Sequence, residues 1–384
     1  MKRKPNLLIL AFAGILVVGG GMGLWAWQHK YEWIVSADRR HRRLDAVKPY
    51  DDVRWCDLRR IDFRDQMDWL ASLNFNRGTR WPRRANLPPG FDPENLLTSA
   101  MNPGLGVREL HRQGITGKGV NVAIIDQPLP GKHPEYAGKI LAYYAVGGDR
   151  GSSMHGPAVT SLLVGTRCGT APDARVFYAT ARLVDYGEAL NWILEQNAAL
   201  PATAKIRVVS VSAGPSGPDS YVTSKIHQDR WDAAFQRAEA AGVLVLDCTK
   251  QRGFIGSCYY DATEPEDVAR CRSGYPGSKP WPVKEHLLAP ASPRTTAEEY
   301  DRGARGYQYY GRGGQSWAIP YCAGVLALGW QVRPELTPQQ MRELLFASAF
   351  VTTEGAKIID PKAFIKRVRG FAHDASNGPL TADH

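Results

Sequence analysis

"VNVAIID", residues 120–126, decides how this chain folds. Apolar, mostly β-branched residues run through it almost continuously, the pattern of a strand buried on both faces in a parallel sheet. Similar runs recur at 175–180 (RVFYAT), 206–213 (IRVVSVSA) and 242–246 (GVLVL). Helical periodicity separates them. Asp185 and Glu188 offer a capping box before Leu190, Ile193 and Leu194. Trp231, Ala234, Phe235 and Ala238 stripe one face of a helix that stops at Gly242. In "LTPQQMRELLF", Thr337 is placed as N-cap, Pro338 as the first helical residue and Gln340 as the closing residue of a capping box. No internal repeat stands out. Alternating strands and helices predict an α/β domain: a doubly wound, mostly parallel sheet with helices on both faces. Ligands in such folds bind beyond the carboxyl ends of the strands. Asp126, the loop after Ala213 and the segment "DCTKQRG" (247–253) would all fall on that rim.

At 384 residues, with 43% hydrophobic and 22% charged positions, the chain can bury a large core and has a globular composition. The net charge of +10 suits an anionic surface as partner. Much of it clusters between Arg39 and Arg84, without the stacking or groove-reading patterns of a nucleic-acid binder, so a solvated basic surface is expected and no nucleic acid.

Lys2, Arg3 and Lys4 precede an uncharged run from Leu7 to Trp27, long enough for a single membrane-spanning helix, with Trp25 and Trp27 suited to an interfacial belt. The expected organisation is a membrane anchor over 1–28, a polar spacer or propeptide-like segment over 29–100, the α/β domain over 101–365 and a tail over 366–384. The positive-inside count competes on both sides of the anchor, and long domains translocate regardless of it, which favours an extracytoplasmic α/β domain. Six cysteines fit no metal-ligand spacing. Cys258 and Cys271 could pair in an oxidising compartment, whereas Cys322 reads as a small core residue.

No dinucleotide, Walker or HExxH motif is present. What remains is Asp126 at a strand end, His155 opening "HGPAVTSLLVGT", and Ser316 opening "SWAIPYCAGVLALGW", with Pro320 within reach of its first turn. Singly these are a turn residue, a core histidine and a helix cap. Together they supply a nucleophile, a base and the carboxylate that orients the base.

Here the chain resembles the subtilisin-like serine proteases, over about residues 104–350. "GLGVRELHRQGITGKGVNVAIID" looks like that family's entry to its aspartate strand, and "MHGPAVTSLLVGTRCGTAPDARVFYATA" resembles its histidine helix and the strand that follows. "VVSVSAG" looks like its substrate-lining strand, and "GGQSWAIPYCAG" resembles its serine motif. The resemblance implies acyl transfer by Asp126, His155 and Ser316, with substrate backbone along Ser212, Ala213 and Gly214. Gly313 and Gly314 would then leave room for substrate.

The chain departs from the family pattern at Pro128, Pro157, Ala158, Gln315 and Trp317. Gln251 stands where the family has its oxyanion-hole asparagine; Asp247 and Lys250 interrupt a normally small, apolar stretch. The resemblance implies no obligatory cofactor; the family often binds calcium, but no dense carboxylate loop marks a site here. Peptides or proteins are the implied substrates. An α/β-hydrolase esterase is disfavoured because Ser316 lacks the G-x-S-x-G elbow and follows the histidine. A catalytically weak or inactive relative acting as a binding or regulatory module is the alternative, on the strength of the altered motif shell.

Overall fold

The computed structural model describes residues 42–130, 133–148, 153–249, 252–261, 263–280, 285–298 and 306–371. The apolar run 7–27 lies outside them. Among the described residues no helix is long and apolar enough to cross a membrane. Contacts divide the chain at Arg42, and the compact unit is Arg43–His384.

Five parallel strands make its main sheet: β1 (Asn121–Asp126), β2 (Ile140–Ala145), β3 (Arg175–Thr180), β4 (Ile206–Val211) and β5 (Leu244–Leu246). Their spatial order is β2-β3-β1-β4-β5. From β1 the chain first winds to one edge and then returns to the other side of β1. The crevice beyond the carboxyl end of β1, where Asp126 sits, is therefore the topological switch point.

Side chains of β1 alternate strictly between two cores, as a period of two requires. Val122 and Ile124 face one cluster with helices α1 (His155–Val164) and α4 (Gln315–Val332). Ala123 and Ile125 face another with α2 (Tyr186–Ala199) and α3 (Lys225–Ala240). The expected doubly wound sheet with helices on both faces is thus present, and the main sheet is wholly parallel. Trp231, Ala234, Phe235 and Ala238 are the buried face of α3. Thr337 caps α5 (Pro338–Ala347) in a full box with Gln340.

Several expectations are corrected. Asp185 is the N-cap of α2 but makes no capping bond. Its carboxylate accepts from Arg182 Nε at 2.7 Å, and Glu188 accepts from the Tyr144 hydroxyl at 3.3 Å. Pro320 lies inside α4, beyond its first turn. Cys258 and Cys271 are buried neighbours that stand here as thiols with a hydrogen bond between their side chains, which leaves the pairing expected in an oxidising compartment open; Cys322 is buried as expected.

A second sheet contains β6 (Ile255–Tyr259) and β7 (Leu287–Ser292), paired in parallel. A third joins β8 (Arg294–Glu298) to β9 (Gly306–Tyr310) antiparallel, and β9 in turn to the strand Asn74–Asn76. Through that pairing residues 43–101 become a layer of the compact unit. Val53, Leu58, Phe63, Phe75 and Phe91 share one core with Tyr307 and Tyr309 of β9.

That layer holds an internal repeat which the sequence reading missed: Asp52-Val53-Arg54, Asp57-Leu58-Arg59 and Asp62-Phe63-Arg64. In each copy the aspartate carboxylate accepts from the arginine backbone N–H at 3.1 Å and from its guanidinium. The middle residue drops, fully buried, into the core. Two of the three arginines are exposed, at 61% and 65% of their side-chain surface; Arg54, at 8%, is not.

Candidate active site

Asp126 is 1% exposed, a costly place for a carboxylate without partners. Its Oδ1 accepts from the Gln127 backbone N–H at 2.8 Å and lies 2.7 Å from His155 Nδ1. His155 reaches this point because α1 begins at it, so the ring projects from the first turn toward the end of β1. Burial lowers the imidazole pKa, but the Asp126 charge and hydrogen bond together outweigh that and hold it above the ordinary histidine value. A neutral imidazole hydrogen-bonded in this way carries its proton on Nδ1, which leaves Nε2 free to accept one.

Ser316 is the second residue of α4, where backbone N–H groups lack intrahelical acceptors and suit developing negative charge. Pro320 has a specific consequence here. It lacks the N–H that would have bonded the Ser316 carbonyl four residues earlier. The Ser212 hydroxyl takes that role, donating to the Ser316 carbonyl oxygen at 2.9 Å. In return the Ser316 hydroxyl donates to the Ser212 carbonyl oxygen at 3.3 Å. The start of α4 is thereby tied to the residue that follows β4. Among the described residues no hydrogen bond joins Ser316 to His155.

Ala213 and Gly214 continue from Ser212 along the rim. The Ala213 carbonyl accepts from the Cys248 N–H at 2.9 Å and the Gly214 carbonyl from the Ser220 hydroxyl at 2.7 Å. Asp247 is buried and turned inward, its carboxylate accepting from the Thr249 N–H and hydroxyl at 3.0 and 2.7 Å. Burial raises its pKa. Gln251 and Lys250 lie outside the described residues.

The two unusual neighbours of Ser316 both have structural work. Gln315 Nε2 donates to the Ile255 carbonyl of β6 at 2.7 Å. The Trp317 indole, 4% exposed, packs against His155 with ring centroids 5.4 Å apart and against Tyr310 at 5.1 Å. Gly313 is required by its close surroundings. A Cβ there would stand 2.0 Å from the Ala291 carbonyl oxygen and 2.2 Å from Trp317 Cδ1. At Gly314 a Cβ would meet nothing closer than 4.0 Å, so the space lies there. Sequence reasoning registered Trp317 only as a departure and passed over Tyr310; the aromatic run "YQYY" (307–310) was the available signal. Among the described residues no group of three or more His, Cys, Asp or Glu is placed to hold a metal ion.

A doubly wound parallel sheet, with a carboxylate at its switch point bonded to a histidine at a helix start, defines the class: a subtilisin-like α/β fold. No family model matches the chain. Its sequence is similar to the serine protease AprX of Bacillus subtilis, 26% identical over 284 residues, which is 62% of this chain and 63% of AprX. It is similar also to the subtilisin-like protease PopC of Myxococcus xanthus, 24% identical over 282 residues, 64% of this chain and 58% of PopC. Among solved structures, fervidolysin of Fervidobacterium pennivorans, a keratinolytic enzyme related to subtilisin, superposes on 72% of this chain and 46% of its own with a TM-score of 0.51 and 16% identity. The matched part spans less than two thirds of either curated relative. These likenesses support reading the chain as a divergent relative of the subtilisin-like proteases, and the solved structure shares its fold.

Proposed function

We propose that this protein is a serine endopeptidase working through an acyl-enzyme. Ser316 Oγ attacks the peptide carbonyl, His155 Nε2 takes the hydroxyl proton and returns it to the leaving amine, and Asp126 holds the imidazole and stabilises its charged form. Water then deacylates Ser316 with His155 again as base. The Ser316 N–H, with the Gln251 side-chain amide, holds the oxyanion, and the substrate chain lies along Ser212, Ala213 and Gly214. The observation that carries this reading is the 2.7 Å bond between Asp126 and His155 at the switch point of the sheet. Membrane tethering through residues 7–27, with the protease unit on the extracytoplasmic side, is part of the same proposal and rests on the apolar run. The chemistry needs no cofactor.

One observation favours a second reading, a subtilisin-like fold retained as a binding module: the Ser316 hydroxyl is directed at the Ser212 carbonyl. Labelling of the full chain with a fluorophosphonate separates the two. The protease reading requires covalent label on wild type and none on Ser316→Ala; a folded wild type that takes no label refutes it.

A further inference from the structure

The Asp126–His155 bond fixes one corner of the imidazole and leaves the ring able to pivot about it. Trp317 covers the ring, its plane tilted 32° from that of His155. Trp317 is itself confined by the close floor at Gly313 and by Tyr310, whose ring meets it at 57°. Tyr310 also reaches the histidine by a second route: its hydroxyl donates to Met154 Sδ at 3.2 Å, and Met154 is the N-cap residue immediately before His155. Behind Tyr310 stands Arg54, with Cζ 5.8 Å from the ring centroid and Nη1 3.5 Å from the hydroxyl. Arg54 is anchored by Asp52 and by Gln308, whose Oε1 accepts from Nη1 at 2.6 Å. A buried guanidinium is held in place by what it would cost to leave such partners. Of the three Asp-x-Arg turns, only this one sends its arginine inward.

We infer that Arg54, Tyr310 and Trp317 form a stack of positioning residues for His155. Residues 43–101 then belong to the working site and are not a leader that can be removed from it. The inference rests on the catalytic reading above, because positioning matters for turnover only if His155 is the base.

The test uses the full chain and three variants: Trp317→Leu, Trp317→Phe and Tyr310→Phe. Three quantities are read: the rate of fluorophosphonate labelling, the downfield proton resonance of His155 Nδ1–H in the bond to Asp126, and the thermal midpoint. Trp317→Leu is expected to slow labelling by up to about 10²-fold, the cost of misplacing a reacting group by about 1 Å, and to broaden the resonance by exchange with water. Trp317→Phe, which restores an aromatic face, recovers most of the rate and sharpens the resonance. Tyr310→Phe, close to isosteric and chosen in case Trp317→Leu does not fold, loses the bond to Met154 and slows labelling in the same direction by less. A purely structural role would lower the midpoint while the folded fraction keeps its labelling rate and its sharp resonance, and that result overturns the inference. A wild type that takes no label refutes the protease reading instead, and the resonance alone then decides the stack.

Discussion

Glu298, the last residue of β8, puts a number on the joint between the N-terminal layer and the rest of the molecule. It is 5% exposed, and burial pushes its carboxyl pKa from an ordinary 4.5 up to about 7. The Asn76 amide, donating to Oε1 at 2.6 Å, pulls the other way, as do Arg54 and the Trp55 side chain, while Asp52 adds to the rise. Between the two values the folded chain binds more protons than the unfolded chain, so stability falls as pH rises and the full cost is felt above pH 7. At about 1.4 kcal/mol for each of the roughly 2.5 pH units between them, that cost is about 3 kcal/mol. Glu298→Gln keeps an acceptor for Asn76 and removes the titration. In a Ser316→Ala background, which removes the proposed nucleophile, urea unfolding of both proteins is compared at pH 5 and pH 8. The gain from Glu298→Gln should be larger at pH 8 than at pH 5 by roughly 2–3 kcal/mol. Parallel stability curves for the two proteins would refute the reasoning, because every other titrating group is common to both.

Four further outcomes follow from the site and its supports. The acid limb of the labelling-rate profile should have its midpoint above 6.5, since the base must be neutral and Asp126 raises the His155 pKa. Asp126→Asn leaves burial unopposed and moves that midpoint below the ordinary value, with a rate loss of about 10⁴; an unmoved midpoint would show that Asp126 does not control the imidazole. Gly313→Ala drives a methyl into the Ala291 carbonyl and the Trp317 indole, and should lower both the thermal midpoint and the labelling rate, whereas Gly314→Ala should leave the midpoint unchanged. Arg294 is 1% exposed and donates to the Pro103 and Cys168 carbonyls at 3.0 and 3.1 Å, so Arg294→Lys, which cannot span both, should cost about 1–3 kcal/mol in urea unfolding; equal midpoints would contradict that role.

What the sequence made legible follows from burial. β1, β3, β4 and β5 lie inside the sheet or against α3, and burial on both faces leaves an unbroken apolar run to read. β2, at the sheet edge, has exposed Leu141 and Tyr143 on alternate positions, and its aromatic, half-wet pattern did not announce a strand. β6 and β7 are interrupted by Gly256 and Pro290, residues that argue against a strand unless the partner strand is known. Residues 43–101 were opaque for a different reason. Part of their core comes from Val53, Leu58 and Phe63, single apolar residues each held between an Asp and an Arg and recurring every five positions, a spacing that matches neither the helix nor the strand period.

The site divides along the same line. Asp126, His155 and Ser316 stood out as candidates because each opens or closes an element whose pattern is strong, and an element boundary on the rim of a parallel sheet is where chemistry is expected. The supports around them depend on contacts between segments far apart in the chain, and no local spacing encodes these. Pro320 shows the difference. From sequence it is a tolerable residue near a helix start. In the fold it leaves the Ser316 carbonyl without its donor, and the Ser212 hydroxyl, 104 residues away, supplies one. Trp317 likewise read as a flaw in a motif until its ring was placed over His155. Departures from a family motif cannot be scored as losses until the residues they touch are known. In this chain the residue before the serine ties α4 to β6, and the residue after it packs on the histidine.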